Sequence, residues 1–165
     1  PQSNDMKRCF KIISLVLMCA GTSASAQVAG IALAGGKHDT SLPVEVTADS
    51  LSVDQSSNTA TFEGTARVGQ GSLRLGADKI TVTYDQTGGQ IASVQATGNV
   101  VFTNGVDMAE AGNAIYNVST GFLTMRGNVL LVQGNSAISG DQLDMNVLAN
   151  SAKVTGNVKT VLAPK

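Results

Sequence analysis

The chain has 165 residues, of which 42% are hydrophobic and 14% are charged, and its formal net charge is −1 at pH 7. Binding to nucleic acid needs clustered basic residues, so this balance excludes nucleic acid as the expected partner. Both cysteines, Cys9 and Cys19, precede residue 27, so the rest of the chain can form neither a disulfide nor a thiolate nucleophile.

Residues 1–26 have the pattern of a secretory signal peptide. A basic stretch at 6–11 precedes an apolar run at 12–20 and the small-residue site Ala24-Ser25-Ala26, which predicts cleavage before Gln27. We interpret residues 1–5 as a mis-start. The apolar run has about ten residues, whereas a membrane-spanning helix needs about twenty, so an uncleaved anchor is disfavoured. Lipid attachment at Cys19 is also disfavoured, because Met18 stands where a small residue is expected.

Cleavage before Gln27 would leave 139 residues, the size of one domain. Because Lys7, Arg8, Lys11 and Asp5 would be removed, 8 basic and 11 acidic residues would remain. With so few cations, an anionic amphiphile would have to be held mainly through its apolar tails. We expect residues 27–41 to form a flexible lead-in and residues 163–165 a short tail.

The segment from residue 42 to 162 is predicted to be all-β. It is rich in Gly, Val, Thr, Ser and Asn and is interrupted by turn residues every few positions, which is typical of many short strands. Apolar and polar residues alternate in five stretches, and each predicts a strand with one apolar face. These stretches are residues 44–46, 51–53, 73–75, 80–84 and 143–147.

Two motifs recur with a period near thirty residues, which is typical of stacked repeats. The first is Gly-Asn-Val at 98–100, 127–129 and 156–158, with a degenerate copy at 64–66, at spacings of 34, 29 and 29 residues. The second, in our alignment, occupies 48–51, 77–80, 112–115 and 140–143.

At the second motif the numbering of the apolar positions shifts by one residue. It changes from even to odd at residues 48–51 and from odd to even at residues 77–80. The chain must bend or bulge there to keep its apolar side chains on one side. We therefore predict two short strands around a corner in each repeat. Stacking of such units would create a continuous apolar interior, with open strand edges only at the two ends.

The sequence resembles the OstA-like family at residues 43–49, 60–64 and 70–80, where Gln70-Gly71 and Ala77-Asp78-Lys79 are the most specific matches. The resemblance extends over residues 42–161. It implies a β-jellyroll, in which an antiparallel sheet is folded into an open V with a hydrophobic groove. It also implies a periplasmic carrier of lipopolysaccharide in a Gram-negative cell, which shields the lipid A acyl chains and serves outer-membrane assembly. Its inner-membrane and outer-membrane partners would have similar β-jellyroll domains.

Two sites are predicted, the first from the resemblance and the second from the stacked β architecture. The lipid-binding groove would contain Val44, Val46, Phe62, Phe102, Tyr116 and Val118. Separately, the first strand (residues 44–47) and the last (157–161) would have open edges, and few charged or proline residues are present to block them. We therefore expect head-to-tail self-association, with these edge positions: Val44, Val46, Val158 and Thr160.

No residue set predicts a catalytic site, a metal site or a cofactor. His38 is the only histidine and stands in the Gly-rich lead-in. Asp49, Asp78 and Asp141 recur at one place in the repeat, but calcium needs six or more converging oxygens. A hydrogen bond at the corner is the favoured role of each aspartate.

Three alternatives to a lipid carrier remain open. One is a membrane-anchored partner of similar fold, with an uncleaved N-terminus, and another is a structural β-scaffold of the cell envelope. A carbohydrate-active enzyme is the least favoured, because the chain lacks paired carboxylates on a common face.

Overall fold

The computed structural model describes residues 31–32, 41–87 and 89–162. The predicted signal peptide with its cleavage site, His38 and the 163–165 tail lie outside these residues. Within them the chain forms β-strands only, which confirms the all-β prediction. The strands are β1 (Ile31–Ala32), β2 (Glu45–Thr47), β3 (Ser50–Asp54), β4 (Thr59–Gln70), β5 (Leu73–Tyr84), β6 (Ile91–Thr103), β7 (Asp107–Asn117), β8 (Phe122–Gln133), β9 (Ser136–Asn146), β10 (Ser151–Thr155) and β11 (Lys159–Leu162).

The strands form one antiparallel sheet in the order β1-β10-β9-β8-β7-β6-β5-β4-β2. From β4 to β9 each strand pairs with the next one in sequence, so the centre of the sheet is a meander. Short strands divide each end: β2 and β3 pair with different parts of β4, and β10 and β11 with different parts of β9. β1 pairs with β10 through Ile31 and Ala32, so two residues of the predicted flexible lead-in form a strand.

A bulge interrupts the pairing of each central strand. Between Glu63 and Ala66 of β4, two residues stand opposite the single residue Asp78 of β5. A bulge of the same kind recurs in β6, where the two residues Gly98 and Asn99 stand opposite the single residue Gly112 of β7. Gly98 has φ 79° and Asn99 has φ 47°. Gly and Asn tolerate this left-handed backbone better than other residues, which explains the repeated Gly-Asn motif.

The prediction of two short strands around a corner is wrong in one respect. The corners exist, but pairing resumes on both sides of each bulge. One strand of 11 to 13 residues therefore passes through each corner of the meander.

The strand register also corrects one copy of the second motif. Gly112 stands opposite the bulge of β6, in the place that Asp78 and Asp141 occupy elsewhere. Our alignment gave this place to Asn113. The shift puts Ala114 on the inner face, where it is 1% exposed, and leaves Ile115 on the outer face at 47%. The sequence around Gly112 fits both alignments in composition, and only its partners across the sheet distinguish them.

The line of bulges divides the sheet into two arms. Arm A contains residues 59–63, 79–84, 91–97, 113–117, 122–126 and 142–146, and arm B contains 66–70, 73–76, 100–103, 107–110, 129–133 and 136–140.

The two arms fold towards each other. In a straight sheet Leu73 and Tyr84, at opposite ends of β5, would be about 35 Å apart. Ile91 pairs with Tyr84, yet Ile91 and Leu73 line the same cavity. Buried residues of both arms accordingly form one hydrophobic cluster, with Ile80 and Met125 from arm A and Leu131 from arm B. The sheet is thus an open V whose apolar faces point inward.

The outer face of arm A is mostly polar. Lys79 forms an ion pair of 3.0 Å with Glu63, and the Arg126 Nε donates a hydrogen bond of 2.9 Å to the Gln142 side chain. Exposed pairs of this kind contribute little stability, so burial of the inner face provides most of the stabilisation.

Candidate functional site

A cavity lies between the arms at the open side of the V. It has a volume of about 100 Å³ and opens to solvent. Both arms and the chain just before β2 contribute to its wall. The lining residues are Val44, Val68, Gln70, Leu73, Arg74, Leu75, Ile91, Val94, Phe102, Tyr116, Val118, Leu123 and Val147.

Strand register and side-chain alternation build this wall. On arm A, Val94, Tyr116 and Leu123 are successive cross-strand neighbours on β6, β7 and β8. On arm B, Leu75 is paired with Phe102. Because alternate residues of a strand point to the same face, these side chains form two facing apolar surfaces. The cavity is therefore suited to an apolar chain.

Four of the six residues predicted for the groove line this cavity: Val44, Phe102, Tyr116 and Val118. The other two lie elsewhere. Val46 pairs with Val68 at the sheet edge, and Phe62 packs against the core of arm A, where it pairs with Ile80.

The sequence analysis missed most of the aliphatic wall. Leu73 and Leu75 had been recognised as an alternating pair but not assigned to the groove, while Ile91, Val94 and Leu123 had not been singled out. Period-two alternation could have placed Val94 and Leu123 on an inner face. Their position in the cavity depends on the folding of the arms, which alternation does not report.

Three polar side chains reach the cavity wall: Gln70, Arg74 and Tyr116. The Gln70 Nε2 donates a hydrogen bond of 2.8 Å to the Leu42 carbonyl. The Arg74 guanidinium donates to the Gly71 and Leu73 carbonyls. The Tyr116 hydroxyl is buried without a hydrogen-bond partner among the described residues, and its burial raises the pKa of Tyr116.

Two of the three recurring aspartates, Asp78 and Asp141, make side-chain hydrogen bonds at the corners, as predicted. Asp78 accepts a bond of 2.9 Å from the Asn99 Nδ2, and Asp141 accepts one of 2.8 Å from the Asn157 Nδ2. Each bond ties an aspartate to the asparagine of the next Gly-Asn motif along the chain. In residues 31–32, 41–87 and 89–162, no three His, Cys, Asp or Glu side chains are grouped as metal ligands would be.

The predicted edge residues lie at the two ends of the sheet, but not all in strands. Val46 belongs to β2 and Thr160 to β11, whereas Val44 and Val158 directly precede those strands. The predicted last strand, residues 157–161, is therefore displaced, and β11 is Lys159–Leu162. The reason is the bulge at Gly156-Asn157, where Asn157 has φ 48° and pairing has not yet resumed.

No described segment forms a helix with the length and apolar character that crossing a membrane requires.

Residues 45–151 match the family model described as "LptA/(LptD N-terminal domain) LPS transport protein". The chain is 28% identical to "Lipopolysaccharide export system protein LptA" of Haemophilus influenzae, over 94% of this chain and 95% of that relative. It is also 28% identical to the protein of the same name in Escherichia coli K12, over 92% of this chain and 86% of the relative.

The fold is similar to that of a solved structure described as "LptH, the LptA homologous periplasmic component of the conserved lipopolysaccharide transport device from Pseudomonas aeruginosa". The TM-score is 0.68 at 18% identity, and the match covers 77% of this chain and 99% of the other. This likeness bears on the fold: a β-jellyroll, in agreement with the prediction from the sequence.

Proposed function

Because the chain belongs to the LptA/(LptD N-terminal domain) family of lipopolysaccharide transport proteins, we propose that it carries lipopolysaccharide with the lipid A acyl chains in the cavity between the arms. The observation that carries this proposal is the cavity wall, where apolar side chains of both arms face each other. Each methylene group moved from water to such a surface gains about 0.8 kcal/mol. The acyl chains therefore supply most of the binding free energy.

The proposed role is transport without catalysis, in the periplasm. The transport role of the family supports the first part. The second part is supported by the signal-like N-terminus and by the description of the similar protein LptH as a periplasmic component. The likeness to LptA relatives over nearly their whole length favours a bridge between membranes over the membrane-anchored partner. The lined cavity favours a carrier over a purely structural scaffold.

The proposed partners are lipopolysaccharide-transport proteins of the inner and outer membranes, and other copies of this chain. The support for all three is the pair of sheet ends, where β2 pairs only with β4 and β11 only with β9 among the described residues. Exposed strand edges can accept a further strand through backbone hydrogen bonds.

Site-specific photo-crosslinking tests the proposed function. A photoreactive phenylalanine analogue placed at Phe102, Tyr116 or Val118 should form adducts with lipopolysaccharide, because these side chains line the cavity. Asn117 is the matched control, since it is exposed and lies between two of the test positions. Adducts of equal yield at Asn117 and at its neighbours would show that the lipid does not enter the cavity.

A further inference from the structure

The two sides of the cavity opening differ in polarity. On arm A the inner face ends in apolar residues, which we call the apolar lip: Tyr84, Ile91, Val118 and Val147. On arm B it ends mainly in polar residues, although Leu73 of β5 also lies there. We call the polar residues the polar lip: Gln70, Asn104, Asp107, Gln133 and Ser136.

Most of the polar lip forms a row across β7, β8 and β9, and Leu73 of β5 separates Gln70 from this row. Asp107 pairs with Gln133, which pairs in turn with Ser136. The Asn104 Nδ2 donates a hydrogen bond of 3.3 Å to the Asp107 Oδ2, and Gln70 stands at the cavity wall. Two residues further along each strand the inner face is apolar, for example at Ala109 and Leu131, which are 0% exposed. The change from apolar to polar is therefore confined to the rim.

We propose that the polar lip binds the saccharide part of the cargo through its hydroxyl groups; this inference rests on the proposed function. An amphiphile with its chains in the cavity has to place its polar part at the opening between the lips. The apolar lip offers that part only the hydroxyl of Tyr84, whereas the polar lip offers several carboxamides and a hydroxyl. A carboxamide has two donor hydrogens and two acceptor lone pairs, so it can bond neighbours and ligand hydroxyls at once.

The charge of the polar lip favours saccharide hydroxyls over phosphate. None of its five residues is basic, and Asp107 is acidic. The nearby guanidinium of Arg74 is held by the Gly71 and Leu73 carbonyls. A row of hydrogen-bonding groups across the sheet would also let a saccharide exchange partners stepwise as the cargo moves.

Two amphiphiles with the same chain and different headgroups test this proposal. Dodecyl maltoside presents saccharide hydroxyls, and dodecylphosphocholine presents a phosphate and a quaternary amine. The affinity of the full chain for each, below micelle-forming concentrations, can be measured by isothermal titration. In Gln133→Leu, the preference for the maltoside should fall by about twofold to tenfold, the value of one hydrogen bond. Ser136→Ala should shift it in the same direction.

Gln95→Leu is the matched control, because Gln95 is exposed on the outer face of β6. If the wild-type chain binds both amphiphiles and the ratio of affinities stays unchanged in Gln133→Leu and Ser136→Ala, the polar lip does not bind the saccharide, while the proposed function stands. A fall of the same size in Gln95→Leu also overturns the proposal. Binding of neither amphiphile by the wild-type chain would overturn the proposed function and this inference together.

Discussion

The hydroxyl of Tyr116 is the clearest local mismatch in the cavity wall. Its oxygen is buried, and no described residue forms a hydrogen bond with it. A buried hydroxyl without a partner costs about 1–3 kcal/mol relative to one that remains hydrated. The ring is nevertheless well placed, since it contributes apolar surface between Val94 and Leu123.

We expect Tyr116→Phe to stabilise the fold by about 1 kcal/mol, because it removes the unpaired hydroxyl and keeps the ring. Tyr84→Phe is the matched control, since of the two tyrosines only Tyr116 has a buried hydroxyl without a partner. Thermal unfolding of the two variants and the wild type measures the difference. An equal or greater gain in Tyr84→Phe would contradict this account.

The same group predicts a pH dependence. Burial raises the pKa of Tyr116 from its ordinary value of 10.0, because the folded state favours the neutral hydroxyl. This contribution to stability is fully present below about pH 10 and is lost as the pH rises through the raised pKa. The wild-type melting temperature should therefore decline more steeply above about pH 10 than that of Tyr116→Phe.

The bulged strand is the structural element that shapes the molecule. At the corners a left-handed glycine lies against a residue of the preceding strand. A Cβ atom added to Gly98 would clash with the carboxylate of Asp78. At the next bulge, Gly127 lies instead against Gly112, in the repeat that lacks the aspartate. Glycine is thus required both by the backbone conformation and by the close approach of the neighbouring strand.

Gly98→Ala should destabilise the fold by about 2–4 kcal/mol, the sum of left-handed backbone strain and displacement of Asp78. Gly134→Ala is the matched control, because Gly134 also has positive φ, 55°, but a Cβ atom there would meet nothing within 4 Å. It should cost only about 1 kcal/mol. Urea unfolding measures both. Similar losses in the two variants would mean that contact with Asp78 is unimportant.

At the scale of the whole molecule, the two ends of the sheet provide the strand edges of the proposed self-association. Gln133 and Ser136 flank a two-residue hairpin, so their backbone groups form hydrogen bonds with each other. Because hydrogen-bonded pairs alternate along an antiparallel ladder, the backbone groups of the next residue, Ala137, point away from β8 and towards Val161 of β11. Thr160 then directs its backbone groups away from the sheet. On the arm A side, β1 already pairs with β10, which leaves β11 as the exposed edge of this end among the described residues.

We expect Thr160→Pro to abolish concentration-dependent oligomers, because it removes an outward-facing amide while leaving the bonds between β11 and β9 in place. Thr160→Val is the matched control, since it keeps the amide and should keep the oligomers. Light scattering over a range of protein concentrations distinguishes the two variants. A folded Thr160→Pro protein with wild-type oligomers would rule out assembly through β11.

The sequence by itself determined the all-β class, the inner faces of β5 and of the arm A half of β9, and the corner bonds of Asp78 and Asp141. These features follow from local rules: the period of two, the left-handed preference of Gly and Asn, and the short reach of an aspartate. Phe102 and Tyr116 could be assigned to the groove because alternation and the family resemblance agreed.

Only the tertiary structure decided which apolar residues face the cavity. Leu51 and Val53 alternate as clearly as Leu73 and Leu75, yet they are 57% and 64% exposed, because β3 lies at the edge of the sheet. The place of Gly112 in the repeat and the start of β11 after Val158 likewise depend on the partners across the sheet. The cavity itself arises where ends of strands about 35 Å apart in a flat sheet meet when the arms fold. Contacts over such distances leave no periodic pattern in a single chain segment, so the sequence could predict the faces but not which parts of them meet.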